Sequence, residues 1–137
     1  MNELPPIDLP PGIRSSFAEN VNGLRMHYLE TGPDDGSRPL LLLLHGFPEL
    51  AYSWRKVMVP LAERGYHVVA PDQRGFGRTT GWDDAYDQDL RPFNLLNLVR
   101  DAVAQGRRLE LGKRAVAHVG HCLAFGSGDL VFRHPLA

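Results

Sequence analysis

The 137-residue chain has a single cysteine, Cys122, no long apolar stretch and no block of basic residues. One cysteine excludes an internal disulfide and suits a reducing compartment, so we expect a cytoplasmic protein. No segment is long and apolar enough to span a bilayer, and the N-terminus lacks the charged and apolar regions of a signal peptide. Lys and Arg are scattered and the formal net charge is −1, which argues against nucleic acid as a partner.

The pattern of apolar residues predicts one α/β domain behind a short arm. Four prolines fall within residues 1–13, which we expect to form an extended N-terminal arm, and the domain would cover residues 14–137. Short apolar or alternating segments predict strands at 14–17, 24–30, 40–44, 66–70 and 115–119. The sequence Val21-Asn22-Gly23 between the first two has the chemistry of a hairpin turn.

Apolar residues at helical spacing predict two helices between the later strands. The first covers residues 51–64 and is ended by Gly65. The second begins near Pro92, and we expect its buried face to consist of Leu95, Leu98, Val99, Ala102 and Val103. A hairpin followed by alternating strands and helices indicates a parallel sheet covered by helices.

One short motif follows the strand of five leucines, Leu40–Leu44. The motif is His45-Gly46-Phe47-Pro48, and its glycine and proline predict a sharp turn directly after the strand. The carboxyl end of a parallel strand is where open α/β sheets place their chemistry. A turn there can direct a backbone N–H toward a developing negative charge, although a connecting loop without chemistry gives the same pattern.

Two longer segments make the pattern more specific. Residues 45–55, HGFPELAYSWR, and residues 70–79, APDQRGFGRT, resemble the epoxide hydrolase branch of the α/β-hydrolases in both order and spacing. The resemblance covers roughly residues 17–121. It implies an α/β-hydrolase fold truncated after the turn that carries the nucleophile, a small-molecule epoxide or ester substrate, no cofactor and no metal site.

The resemblance also implies roles for individual residues of the motif. The backbone N–H groups of Phe47 and Leu123 would form an oxyanion hole, and the Phe47–Pro48 bond would be cis. His45, Gly46 and Pro48 would support the loop, His45 through a polar contact of its ring to the backbone. Trp54 would line the substrate site, although its helical phase equally makes it a core residue. Asp72 and Arg74 would brace the loop that follows them.

The nucleophile position is where the chain departs from the family. The sequence Gly120-His121-Cys122-Leu123-Ala124 has the small residues that a tight nucleophile turn needs, but Cys122 stands where epoxide hydrolases have aspartate. Cys122 could be a thiolate nucleophile, an accident of a sequence altered after His121, or a small buried residue. The pattern fails at one point and does not resume, which favours the second interpretation.

The remaining candidate residues lead to the functional expectation. His118, His121 and Cys122 lack the further ligand that a tetrahedral metal site needs. Only His134 follows Cys122, and it is too close to be the late histidine of the family, which also requires a late acid. We therefore expect an inactive, epoxide-hydrolase-like N-terminal fragment. The alternatives are a cysteine-dependent ester or lactone hydrolase and a non-catalytic fragment that self-associates.

Overall fold

The computed structural model describes residues 4–83, 85–109 and 115–119, which form a mixed sheet with helices on its faces. Short 3-10 turns at Ala51–Trp54 and Arg91–Phe93 precede the two α-helices. The elements, in chain order, are β1 (Arg14–Val21), β2 (Leu24–Thr31), β3 (Leu40–Leu44), α1 (Arg55–Glu63), β4 (His67–Pro71), α2 (Leu95–Leu109) and β5 (Ala115–Val119).

The strand order explains which loops meet at one edge of the sheet. Within the described sheet the order is β1-β2-β4-β3-β5. β2 pairs antiparallel with β1 and with β4, whereas β3 pairs in parallel with both β4 and β5. The carboxyl ends of β3, β4 and β5 therefore point the same way, and the loops that follow β3 and β4 emerge side by side. The predicted hairpin, parallel strands and covering helices are confirmed.

The five-leucine strand is buried on both faces, as its unbroken apolar run predicts. Successive side chains of a strand point to opposite faces, so Leu41 and Leu43 join one apolar cluster while Leu40, Leu42 and Leu44 join the other. The first cluster lies against α1 through Met58 and Ala62, and Ala102 of α2 packs against the second. Ile7 and Leu9, which precede β1, are partly buried and pack against the first cluster.

Both predicted glycine positions have the backbone geometry that the sequence requires. In the β1–β2 hairpin, Asn22 and Gly23 have φ of 51° and 82°, the left-handed values of a tight hairpin turn. Gly65 follows α1 with φ of 100°, and its N–H donates to the Ala62 carbonyl at 3.0 Å, which satisfies an orphan acceptor at the helix end.

The expected buried face of α2 is partly wrong. Val99 and Val103 are 49% and 47% exposed, whereas Asp101 and Gln105 are buried. The helix is rotated because Asp101 is held by partners on other elements, described below, which outweigh the preference of two valines for burial. The helix also begins at Leu95, since Pro92 lies in the separate 3-10 turn. The first helix likewise starts as a 3-10 turn and becomes α-helical only at Arg55.

No helix among the described residues has the length and apolar character needed to cross a membrane.

Candidate active-site loop

The loop after β3 is fixed by the His45 side chain, which is only 4% exposed. The Gln73 backbone N–H donates to His45 Nε2 at 3.0 Å, so that nitrogen is an acceptor and the ring proton is on Nδ1. His45 Nδ1 then donates to the Gly46 carbonyl at 2.8 Å, and the Gln73 side-chain amide donates to the His45 carbonyl. Both ring nitrogens thus bond to backbone, the arrangement expected for a positioning residue.

The tip of this loop is exposed. The Phe47–Pro48 bond is cis, as the resemblance implies, and the Phe47 side chain is 71% exposed, with its ring 6.1 Å from that of Phe76 in edge-on contact. Among the residues that the structure describes, no acceptor receives a hydrogen bond from the Phe47 N–H. An N–H that is to stabilise an oxyanion must be free in this way. The other predicted donor, Leu123, and the predicted nucleophile, Cys122, lie outside the described residues.

Asp72, at the end of β4, holds the surrounding loops in place. Its Oδ1 accepts from the Ala51 N–H at 2.9 Å, and its Oδ2 accepts from His27 Nδ1 at 2.7 Å and from the Arg78 N–H at 3.1 Å. Burial raises the pKa of the Asp72 carboxyl, but these three hydrogen bonds lower it by more, so the pKa lies below its ordinary value. Asp72 is therefore an ionised brace between β2, the 3-10 turn before α1 and the glycine turn.

Arg74 braces the same loop from the other side. Its Nε donates to Asp101 Oδ2 at 2.8 Å and its Nη2 to Oδ1 at 3.2 Å, so α2 is clamped to the loop by a two-point ion pair. The Asn22 side-chain amide adds a third hydrogen bond to Asp101 at 2.9 Å from the β1–β2 turn. Asp72 and Arg74 brace the loop as predicted, but each does so through its own partner and not as a pair.

An open aromatic cavity of about 430 Å³ adjoins Phe47. Rings on three segments meet there, since Phe76 contacts both His45 and Phe47, and Trp82 contacts Phe93 edge-on at 5.8 Å. The cavity is lined mainly by apolar side chains, including Phe47, Phe76, Trp82, Leu90, Phe93 and Leu98.

Trp54, the predicted wall residue, does not line this cavity. It packs partly buried against the core cluster that contains Leu41 and Leu43, and with them lines a different groove beside α1. These contacts are those of a partly buried core residue, and its role as a wall of the substrate site stays a prediction.

The most important residue that the sequence does not predict is His27. It lies in the middle of β2, 45 positions before its partner Asp72, and only the pairing of β2 with β4 brings the two together. Gln73 and Asp101 are missed for the same reason. For His27 and Asp101 the available signal was a polar residue at an inward position of a strand or a helix, and that signal does not identify a partner.

A metal site would need at least three His, Cys, Asp or Glu side chains close together. No such group occurs among the described residues. Of the weighed candidates, His118 lies in β5, and His121 and Cys122 fall outside the described part of the chain.

Comparison with known proteins agrees with this geometry. Residues 39–124 match the α/β-hydrolase fold family. The chain is 43% identical over 88 residues to epoxide hydrolase A of Mycobacterium tuberculosis, covering 63% of this chain and 27% of that protein. It is 42% identical over 104 residues to epoxide hydrolase 3 of Siraitia grosvenorii, covering 74% of this chain and 29% of that one.

Among solved structures, potato (Solanum tuberosum) epoxide hydrolase I superposes with a TM-score of 0.62 at 47% sequence identity. The match covers 78% of this chain and 32% of the potato enzyme. The chain thus spans less than a third of the length of each of these relatives.

Proposed function

Because the chain belongs to the α/β-hydrolase fold family, we propose that it carries the oxyanion loop of an epoxide-hydrolase-like site, where water adds to an epoxide through an ester on the enzyme. The observation that carries this proposal is the Phe47 N–H, which has no acceptor in the described part of the chain and lies on a loop fixed by His45. The similarity to several epoxide hydrolases supports the substrate class.

In this proposal Phe47 and Leu123 act through their backbone N–H groups. The ester intermediate passes through a tetrahedral oxyanion when water attacks it, and the two donors stabilise that charge. A preorganised donor of this kind contributes about 3 kcal/mol to the transition state. The aromatic cavity beside Phe47 favours an epoxide with an apolar or aryl substituent, because rings bind such groups through apolar and edge-to-face contacts.

We further propose that residues 1–137 alone do not open epoxides. Cys122 stands at the position where the family has its aspartate nucleophile, and loss of one member of such a unit reduces the rate by on the order of a million-fold. The purified chain should therefore form no diol from styrene oxide above a heat-treated control. Diol formation clearly above that control would refute the proposal.

A chimera tests the loop separately from the nucleophile. Residues 39–119 would replace the matching segment of epoxide hydrolase A of M. tuberculosis, which supplies the rest of its own site. We expect diol formation by the chimera, and we expect Phe47→Pro, which removes the N–H, to lower kcat by about 100-fold or more. Phe47→Ala keeps the N–H and is the matched control. Equal kcat in the two variants would show that Phe47 is not a donor.

A second candidate function, self-association, is favoured by the position of β5. Within the described sheet β5 pairs only with β3, so its other side has no strand partner there. An unpaired apolar edge invites pairing with another chain. We expect the chain to self-associate at tens of micromolar in sedimentation experiments, and Val116→Lys to lessen the effect. A monodisperse monomer would contradict this candidate.

The cysteine-dependent hydrolase remains a third proposal, which rests on Cys122 alone.

A further inference from the structure

A serine, a histidine and an aspartate form a continuous hydrogen-bonded chain outside the oxyanion loop. Ser15 Oγ lies 2.9 Å from His27 Nε2, and His27 Nδ1 lies 2.7 Å from Asp72 Oδ2. The three residues come from β1, β2 and the first residue after β4, which are adjacent in the sheet. This is the order and connectivity in which a serine nucleophile, a general base and an orienting carboxylate occur in hydrolases.

The proton positions in this chain follow from Asp72. Its carboxyl pKa is lowered, so near neutral pH it is a carboxylate that can only accept, and His27 Nδ1 must carry the hydrogen between them. In the neutral imidazole the other nitrogen, Nε2, then has a free lone pair. Ser15 must therefore donate its hydroxyl hydrogen to Nε2, which is the proton that a base would remove when the serine oxygen attacks.

The base is held rigidly on all sides. His27 is 1% exposed; its backbone N–H donates to Thr79 Oγ1 at 3.0 Å, and its carbonyl accepts from the Asp72 N–H at 2.9 Å. The Phe17 ring packs on the imidazole with a centroid distance of 5.1 Å. A base fixed in this way needs no reorganisation to take the proton, which is the condition for efficient catalysis.

Ser15 itself is accessible. It is exposed, and β1 is the outermost strand of the described sheet at that side. An open cavity of about 340 Å³ lies against His27 and Asp72, with Ile7, Leu29 and Leu50 supplying apolar wall. The cavity offers space for a small apolar group beside His27 and Asp72, and Ser15 does not line it.

We propose that Ser15 is a nucleophile that accepts an acyl group from an activated ester, with His27 as its general base and Asp72 as the positioning residue for His27. Ser15 Oγ attacks the ester carbonyl as its proton passes to His27 Nε2. The bond from the carbonyl carbon to the leaving oxygen then breaks, and that oxygen takes the proton from His27. The products are an acyl ester on Ser15 and the free alcohol, and the imidazole is again neutral.

The neighbouring Ser16 provides an internal control. Its hydroxyl donates to Glu30 Oε1 at 2.9 Å, on the opposite face of β1. Burial raises the pKa of the Glu30 carboxyl, but hydrogen bonds from His67 and Ser16 and the charge of Arg14 lower it below its ordinary value. Glu30 is therefore a poor proton acceptor, and Ser16 has a similar sequence context without a base.

The test is acylation of the full chain by p-nitrophenyl acetate, with the acetylated serines located by peptide mass spectrometry. A Cys122→Ala background prevents the thiol from competing for the ester. General base assistance accelerates proton transfer about 100-fold or more, so we expect Ser15 to be acetylated about 100-fold faster than Ser16 and than exposed Ser53. This comparison within one protein does not depend on any variant of the site folding. Acetylation of Ser15 no faster than that of Ser16 would overturn the proposal.

Two variants sharpen the result. His27→Gln should reduce acetylation of Ser15 to the rate of Ser16, because glutamine cannot act as a base. Ser16→Ala should leave the rate at Ser15 unchanged. A rate at Ser15 that survives His27→Gln, in a variant with the circular dichroism spectrum of the parent, would also overturn the proposal. Because the readout is the labelled serine, it is independent of whether the oxyanion loop supports epoxide chemistry.

Discussion

Replacing Asp72 by asparagine should destabilise the fold strongly without changing its shape. The carboxylate accepts three hydrogen bonds, from His27 Nδ1 and from the N–H groups of Ala51 and Arg78. An asparagine side chain offers one acceptor oxygen and places an NH2 where the other oxygen was. Whichever way the amide turns, at least one of the two backbone N–H groups faces another donor.

The magnitude follows from these contacts. A buried donor left without a partner costs about 1–3 kcal/mol, and the hydrogen bonds that survive lose the charge of their acceptor, about 1 kcal/mol each. We therefore expect Asp72→Asn to lower the free energy of unfolding by about 3 kcal/mol. For a small domain with a urea m-value of about 2 kcal/mol/M, the unfolding midpoint falls by roughly 1.5 M.

Urea unfolding followed by circular dichroism measures this shift. Asp87→Asn is the matched control, since Asp87 is exposed and has no hydrogen bond or ion pair with the described residues. We expect that control to keep the midpoint of the parent. If Asp72→Asn shifts the midpoint no more than Asp87→Asn does, Asp72 is not the brace that its hydrogen bonds indicate.

The pH dependence gives an independent check. Because the pKa of Asp72 is lowered by folding, its contribution to stability is fully present above the unfolded-state pKa of about 3.9 and is lost as the pH falls through the lower folded-state value. The difference in unfolding free energy between the parent and Asp72→Asn should therefore shrink as the pH falls below about 4. A difference that keeps growing as the pH falls below about 4 would contradict the assignment.

Two further predictions follow from individual contacts. Gly77→Ala should destabilise the chain more than Gly23→Ala. Both glycines have positive φ, but a Cβ at Gly77 would overlap Asp72 Oδ2, whereas nothing lies within 4 Å of a Cβ at Gly23. We expect a gap of about 2 kcal/mol in urea unfolding, of the size of other overpacking defects, and equal losses would refute the close contact. If Cys122 lies on an exposed nucleophile turn, iodoacetamide should label it in the native chain at neutral pH, and labelling that needs denaturation would exclude the cysteine-dependent hydrolase.

Local sequence signals predict those parts of the fold that depend on neighbouring residues. The hairpin turn at Asn22 and Gly23 needs left-handed backbone, which those two residue types adopt readily, and the structure has it. The run Leu40–Leu44 has no polar side chain for a solvent-facing side, and both faces are buried. In each case the cause lies within the segment.

The buried face of α2 shows where such signals fail. Judged by hydrophobicity alone, Val99 and Val103 should be buried and Asp101 exposed. The structure reverses this because Arg74 and Asn22, on two other elements, both donate to Asp101. Removing one partner of a buried ion pair costs about 3–5 kcal/mol. Burying the exposed half of both Val99 and Val103 would add only about 1.5–3 kcal/mol. The rotation of α2 is thus set by residues that the helix sequence does not contain.

The candidate site divides in the same way. The role of His45 could be predicted because the resemblance places it in a short motif, and its partner Gly46 is the next residue. The loop, however, is also held by Gln73, 28 residues later, whose N–H donates to the His45 ring. Gln73 follows Asp72 in the chain, and Asp72 accepts a hydrogen bond from the ring of His27 on another strand. The position of the Phe47 N–H therefore depends on a chain of polar contacts that crosses β2, β4 and the loop after β3. Substitutions at His27 or Asp72 should accordingly disturb the loop after β3 without touching it. The two segments that carry the resemblance include Asp72 and Gln73 but not His27, so they do not reveal that dependence in full.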